Sequence, residues 1–369
     1  MKTSVLDSIG QMSEIDKSNM LSFCVEAPNH YEKAAKLAEK LLLDFKEPSA
    51  IIVSGMGGSA IGGELLKDWA RNRVTVPIEV CRDYSLPKYA DKGTLVFVVS
   101  YSGETEESLS AFLDALKRGC TVVSVSSGGK LQSFAEKLGV PHICVPSGMA
   151  PRATLPYLFI PLPLILEKIG LASNVSREIS EATKVLELIS DGNSPQKPSN
   201  RNFSKSLAKA IVGTIPVTYG FGFFRAVAQR FKTQFNENSK VPAKWEFFPE
   251  LNHNEIVGWE ALGNLAKHFS TIIIRDTEEP MEIRHRIENT KDLMQNLSLK
   301  IFEVRSEGRS ALAKMCSVIS VGDFTSVYLA ILRGIDPTPV KTISLLKNEL
   351  AKNGIREKVI RELQRISRK

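Results

Sequence analysis

From Ala50 onward the chain alternates short apolar runs with stretches of helical periodicity. The runs Ala50–Ser54, Ile78–Cys81, Leu95–Val99, Thr121–Ser126 and His142–Val145 are too short for helices and predict buried strands. Stretches such as Ile61–Arg71 and Leu109–Arg118 place apolar residues three and four apart and predict the helices between them. A further amphipathic helix, "YEKAAKLAEKLLLDFKE", is expected over residues 31–47. Strands alternating with helices predict βαβ units and a parallel sheet. Five strands suit a doubly wound sheet of order 2-1-3-4-5.

The rhythm stops at "SDGNSPQKPSN", residues 190–200, where Pro, Gly, Ser and Asn cluster and predict an exposed linker. It then restarts. "IPVTYGFG", "STIIIRD" and "LKIFEVRS" read as strands, and "FFRAVAQRFKTQF" and "EIRHRIENTKDLMQNL" as helices. Both halves open with strand, G-x-G and helix: Gly55-Met56-Gly57 in the first, Gly220-Phe221-Gly222 in the second. The expected organisation is an N-terminal helical segment (1–30), a first α/β domain (31–170), a linker (171–200), a second, similar domain (201–338) and C-terminal helices (339–369).

Composition narrows the partners. The 369 residues are 43% hydrophobic and 24% charged, which is ordinary globular usage, and the length favours two domains. A net charge of +7 favours anionic ligands. The positive charges are dispersed except in the tail "REKVIRELQRISRK", and no basic stripe alternates with aromatics, so nucleic acid is not an expected partner. Five cysteines without a C-x-x-C pair fit a reducing cytoplasm. The N-terminus lacks the apolar core of a signal peptide. The apolar run Tyr157–Leu166 is cut by Pro161 and Pro163 and falls short of the ~20 residues that span a bilayer. A cytoplasmic protein with no membrane partner is expected.

Two loops carry candidate chemistry. Gly55, Gly57 and Ala60 satisfy G-x-G-x-x-A between a strand and a helix, and Glu79 lies near the end of the next strand. That pattern admits a dinucleotide site, or simply a tight turn. The stretch "VSYSGETEES" after the third strand shifts the balance. In the order 2-1-3-4-5 the loops after strands one and three diverge and leave a crevice. One loop offers the amides of Gly57 and Gly58 plus Ser59. The other offers Ser100, Tyr101, Ser102 and Thr105 at a helix N-terminus, where a phosphate is favoured. The plainer alternative is that Thr105 only caps the helix.

"SYSGET" resembles the phosphosugar loop of the sugar isomerase (SIS) superfamily. The ordered set "GMGGSAIGG", "SYSGETEES", "PRATLP", "NENSK", "ELNHNEIVGW" and "TPVKTISLLKNEL" resembles the bifunctional phosphoglucose/phosphomannose isomerases, over about Met20 to Leu350. The resemblance implies two flavodoxin-like SIS domains, each a doubly wound parallel sheet, with a C-terminal helical extension. It also implies an aldose–ketose isomerase that interconverts glucose 6-phosphate and mannose 6-phosphate with fructose 6-phosphate through an enediolate, without cofactor or metal. The chain is long for that family, with extra residues expected around 171–205 and 277–297.

The same resemblance implies roles for single residues. Glu237 would be the base; in the sequence it falls at the end of the helix Phe223–Phe235, where the dipole opposes negative charge, and read alone it is a surface glutamate. His253, set among Asn252, Asn254 and Glu255, would open the sugar ring from the partner subunit, making a homodimer obligatory. The run "VPAKWEFFPE" predicts a strand that carries His253 away from its own Glu237. Arg152 would stabilise the enediolate as a fixed cation. Lys347, or Lys341 nearby, would sit at the ring oxygen. Two other functions remain: a non-catalytic sugar-phosphate sensor, disfavoured because no DNA-binding helix pair precedes the domain, and an NAD-linked oxidoreductase.

Overall fold

The first five apolar runs become parallel strands: β1 (Ala50–Ser54), β2 (Ile78–Cys81), β3 (Thr94–Val99), β4 (Thr121–Ser126) and β5 (His142–Cys144). Their order is β2-β1-β3-β4-β5, as the sequence predicts. All six residues of β3 are buried, which is why "TLVFVV" reads as an unbroken apolar run: a parallel sheet is covered on both faces. The computed structural model describes residues 4–39, 41, 47–297 and 299–368.

The second half builds β6 (Ile215–Phe221), β7 (Lys244–Phe248), β8 (Phe269–Arg275) and β9 (Lys300–Arg305) in the order β7-β6-β8-β9. This is the first sheet's order without a fifth strand, again all parallel. The repeated G-x-G is a structural repeat. A Cβ on Gly55 would stand 3.2 Å from Ser59 O and 2.9 Å from Val99 O; one on Gly220 would stand 2.3 Å from Phe224 O, again four residues on. The second glycine of each motif, Gly57 and Gly222, takes φ = 50°, which costs a side-chain-bearing residue but not glycine. One backbone turn thus starts the first helix of both halves.

The chain forms two compact units whose composition departs from the expected domains. One contains residues 29–179 and 340–369, the other 1–28 and 180–339. Each terminus therefore belongs with the other half's sheet. In the unit holding the first sheet, the C-terminal helix Ile355–Ile366 buries Val359 and Leu363 in one core with Leu109, Phe112 and Leu113. In the other unit, Ser199 N donates to Asp7 Oδ1 at 2.7 Å and Ser190 Oγ donates to Cys24 O at 3.3 Å.

The stretch read as a linker is ordered by side chains. A helix runs over Val175–Asn193. Asn193 is buried, and its Oδ1 accepts from Ser204 N at 2.9 Å. Lys205, fully buried, donates to Pro195 O at 2.7 Å and Lys197 O at 2.8 Å and so pins the following turn. The helix expected over 31–47 is observed as Ala27–Glu39; residues 40 and 42–46 lie outside the described residues. Among the described residues one helix, Ala311–Leu332, is long and apolar enough to cross a membrane, yet 89% of its apolar window is buried inside the molecule. It is the central core helix of its unit, apolar on every side because it is surrounded.

Candidate active site

In the unit of the first sheet, the helix Gly58–Ala70 starts from Gly57 with no side chain capping its first N–H groups. Its glycines let it settle close to its neighbours. A Cβ on Gly58 would lie 3.1 Å from Pro151 O, one on Gly62 3.0 Å from Leu158 O, and one on Gly63 2.8 Å from the Val53 side chain. The helix is therefore pressed against β1 on one side and the "PRATLP" segment and its following residues on the other. That segment is a 3₁₀ turn, Pro151–Thr154, running into the helix Leu155–Phe159. Arg152 within it is only 2% exposed, so it is not the surface arginine a lone loop position suggests.

The loop after β3 is braced from several directions. Tyr101 N donates to Ser59 Oγ at 3.2 Å, joining it to the β1 loop. Tyr101 OH accepts from Met149 N at 2.9 Å, and Tyr101 O accepts from Ser127 N at 2.8 Å and Ser127 Oγ at 2.7 Å. Tyr101 is thus buried and fixes the loop. Gly103, at φ = 65°, lies so close to the β4 loop that a Cβ there would be 1.9 Å from Gly128 O. Such an approach demands glycine.

The hydroxyls are disposed around the start of the helix Glu106–Lys117. Thr105 occupies the N-cap position but makes no cap bond; its Oγ1 accepts from Ser100 Oγ at 3.0 Å. The plainer reading of Thr105 as a capping side chain is therefore not what the structure contains. Ser102 is exposed, and its Oγ accepts from Glu104 N at 3.2 Å. The helix thus starts without a side-chain cap and with three hydroxyls nearby, and helix N-termini of this kind favour anions. Glu79, the residue a dinucleotide site would use, accepts from Tyr89 OH at 2.7 Å.

Strand β8 ends in a loop equivalent to the one after β3, but "DTEEP" supplies carboxylates where "SYSGE" supplies hydroxyls. Arg275 is held by both oxygens of Glu279, at 2.7 and 2.9 Å, and Asp276 pairs with the buried Lys314 at 2.9 Å. Those acids are bonded to their own cations, and the loop offers no cup of hydroxyls like the one after β3.

In the other unit, Glu237 lies within the π-helical turn Phe235–Ser239, which follows the helix Arg225–Gln234. The rest of "NENSK" anchors that turn. Asn238 Nδ2 donates to Ser326 Oγ at 2.8 Å, Ser239 Oγ to Ser326 O at 2.6 Å, and Lys240 Nζ to the carbonyls of Glu237 and Pro337 at 2.6 and 2.7 Å. Lys240 ends the turn at φ = 52°. Glu237 itself is half-buried.

His253 follows β7, in the 3₁₀ turn Glu250–His253, and is exposed. The polar residues around it in sequence bond elsewhere: Asn252 to Thr290 at 2.8 Å, Asn254 to Glu250 at 2.7 Å, Glu255 to Lys244 at 3.0 Å. Burial, aided by the Glu255 carboxylate, raises the Tyr219 phenol well above its usual range, so it stays a donor to Glu255. Leu251 and Trp259 anchor the segment on either side of the histidine. Lys341 and Lys347 stand on the helix Lys341–Leu350, which buries none of its residues. The sequence pattern does not reveal Arg356 and Ser127, which reach the loop after β3 from distant segments and bond to its Glu104 and Tyr101.

Two parallel α/β sheets, one with a hydroxyl-lined loop at the crevice, define an SIS-type protein. A family model for the bacterial phospho-glucose isomerase C-terminal SIS domain matches residues 200–350. A solved structure of a glucose-6-phosphate isomerase-like protein from Thermus thermophilus shares the fold, with TM-score 0.60, 18% identity and coverage of 94% of this chain and 99% of that one. A bifunctional phosphoglucose/phosphomannose isomerase from Caldicellulosiruptor bescii is 42% identical over 88% of this chain and 96% of its own. One from Aquifex aeolicus is 34% identical over 85% and 94%. The chain belongs to the bifunctional phosphoglucose/phosphomannose isomerase family.

Proposed function

We propose that the protein is an aldose–ketose isomerase that interconverts glucose 6-phosphate and mannose 6-phosphate with fructose 6-phosphate. The observation that carries this reading is relatedness to such enzymes along nearly the whole chain. The hydroxyls of Ser100, Ser102 and Thr105 and the amides of Gly57 and Gly58 bind the 6-phosphate, while Ser59 and Tyr101 keep the two loops together. Glu237 takes the proton from C2 of the aldose and returns it to C1, as a carboxylate with no other proton to manage can do. The O2 proton leaves as the O1 proton arrives, so the balance closes without an oxidant. The Arg152 guanidinium, charged at any working pH, stabilises the enediolate oxygens. That intermediate is planar at C2. Proton return on one face gives the glucose configuration and on the other the mannose configuration.

In the same reading the working form is a homodimer. The exposed His253 opens the ring in the site of a second copy, and Lys347 supports the ring oxygen. The exposure of His253 and of the whole 341–350 helix favours roles facing outward from their own units. The test is glucose 6-phosphate incubated with the purified protein and no nicotinamide. Fructose 6-phosphate should accumulate to an equilibrium mixture; turnover only with added nicotinamide would assign an oxidoreductase instead.

A further inference from the structure

The C-terminal helix Ile355–Ile366 touches the phosphate loop through one ion pair, between the Arg356 guanidinium and the Glu104 carboxylate. Glu104 Oε1 also accepts from Lys130 N at 2.9 Å. One carboxylate therefore joins the loop after β3, the loop after β4 and the C-terminal helix. The helix is held there independently, by Val359 and Leu363 in the core and by a Lys117–Glu362 ion pair. Arg356 Nε is buried and has no hydrogen-bond partner among the described residues.

This placement poses an electrostatic problem. Glu104 N is bonded to Ser102 Oγ, so its carboxylate belongs to the loop that would hold a phosphate dianion. The first turn of the following helix already carries Glu106 and Glu107. An unpaired Glu104 would add to that negative charge and repel the ligand, since a charge at this half-exposed position is only partly screened. We propose that Arg356 is a positioning residue for phosphate binding. It neutralises Glu104, so that Glu104 can brace the two loops without expelling the anion they are shaped to hold. The C-terminal helix is then a working part of the phosphate site. The inference rests on the phosphate-loop reading above.

The test uses the full chain, calorimetric titration with inorganic phosphate and with fructose 6-phosphate, and steady-state kinetics. Arg356→Ala should raise Kd for both probes roughly tenfold, the effect of one uncompensated nearby charge, while kcat changes far less. Adding Glu104→Gln to Arg356→Ala should bring Kd back to within about threefold of wild type, because the repelling charge has gone. Glu104→Gln alone, nearly isosteric, should bind phosphate at least as tightly as wild type, and it decides the matter should Arg356→Ala fail to fold. Unchanged Kd in Arg356→Ala overturns the proposal. So does a double variant as weak as Arg356→Ala, since a merely structural clasp is not rescued by removing its second half, and so does weakened binding in Glu104→Gln. Wild-type protein that binds phosphate but not fructose 6-phosphate would sink the sugar-phosphate reading while the phosphate titrations still decide this one. Binding of neither would remove both.

Discussion

The backbone N–H of Tyr101 donates to the Ser59 hydroxyl at 3.2 Å, tying the loop after β3 to the loop after β1. These strands are hydrogen-bonded neighbours in the sheet, so the bond spans the crevice where their following loops diverge. Ser59→Ala leaves a buried N–H unpaired, which costs about 1–3 kcal/mol. The variant should melt at lower temperature and show a raised KM for fructose 6-phosphate with little change in kcat. Ser102→Ala with Thr105→Ala should also raise KM, because each lost bond to a charged group is worth roughly 1.5–3 kcal/mol. Steady-state kinetics check both; an unchanged KM in the double variant would move the phosphate elsewhere.

Two glycines with positive φ should differ in their response to alanine. Gly57 and Gly103 both have positive φ, at 50° and 65°. A Cβ on Gly57 meets nothing within 4 Å, whereas one on Gly103 meets Gly128 O at 1.9 Å. Gly57→Ala should cost about 1–3 kcal/mol from backbone strain alone. Gly103→Ala adds a clash between backbones and should cost more than ~4 kcal/mol. Denaturant unfolding of the pair measures the difference; equal costs would contradict the close approach of the two loops.

The strands were legible because each is a short apolar run closed by a turn, and the order of the first sheet followed from five such runs with helical stretches between most of them. The segment 190–200 was not. "SDGNSPQKPSN" has linker composition, and what orders it, Ser204 on Asn193 and Lys205 on the carbonyls of Pro195 and Lys197, lies later in the chain. The pairing of each terminus with the other half's sheet was hidden for the same reason. In the site, glycines and hydroxyls were visible as a pattern. The bond between Ser100 and Thr105 and the Glu104–Arg356 pair depend on geometry that spacing does not encode.

Acid should destabilise the first-sheet unit through His142. Its Nδ1 lies 2.8 Å from Ser124 Oγ, and burial lowers its pKa from 6.5. Below about pH 6.5 the unfolded chain binds a proton that the folded unit resists, so stability falls as pH drops from there towards the folded value and is insensitive above it. His142→Gln should flatten that part of the curve. Melting temperatures from pH 8 to 5 make the comparison, and identical slopes in the two proteins would exclude His142 as the source.

A shared active site predicts complementation. Glu237→Gln should keep the fold and sugar-phosphate binding but lose at least ~100-fold in kcat, the lower end for a missing general base. His253→Ala should be impaired at ring opening. If each site takes Glu237 from one subunit and His253 from its partner, mixed dimers regain one intact site in two. Random pairing then restores roughly a quarter of wild-type activity, by the statistics of a two-fold dimer. Confirmed subunit exchange with no recovery would place His253 in its own subunit's site or in none.

The isomerase account is tested most directly by starting from the ketose. Fructose 6-phosphate is given to the purified protein, and glucose 6-phosphate and mannose 6-phosphate are detected separately. Both should appear, because an enediolate planar at C2 can be protonated on either face, and both should vanish together in Glu237→Gln. Absence of both aldoses from the wild-type reaction would contradict the account, as would a Glu237→Gln variant that still forms them at the wild-type rate.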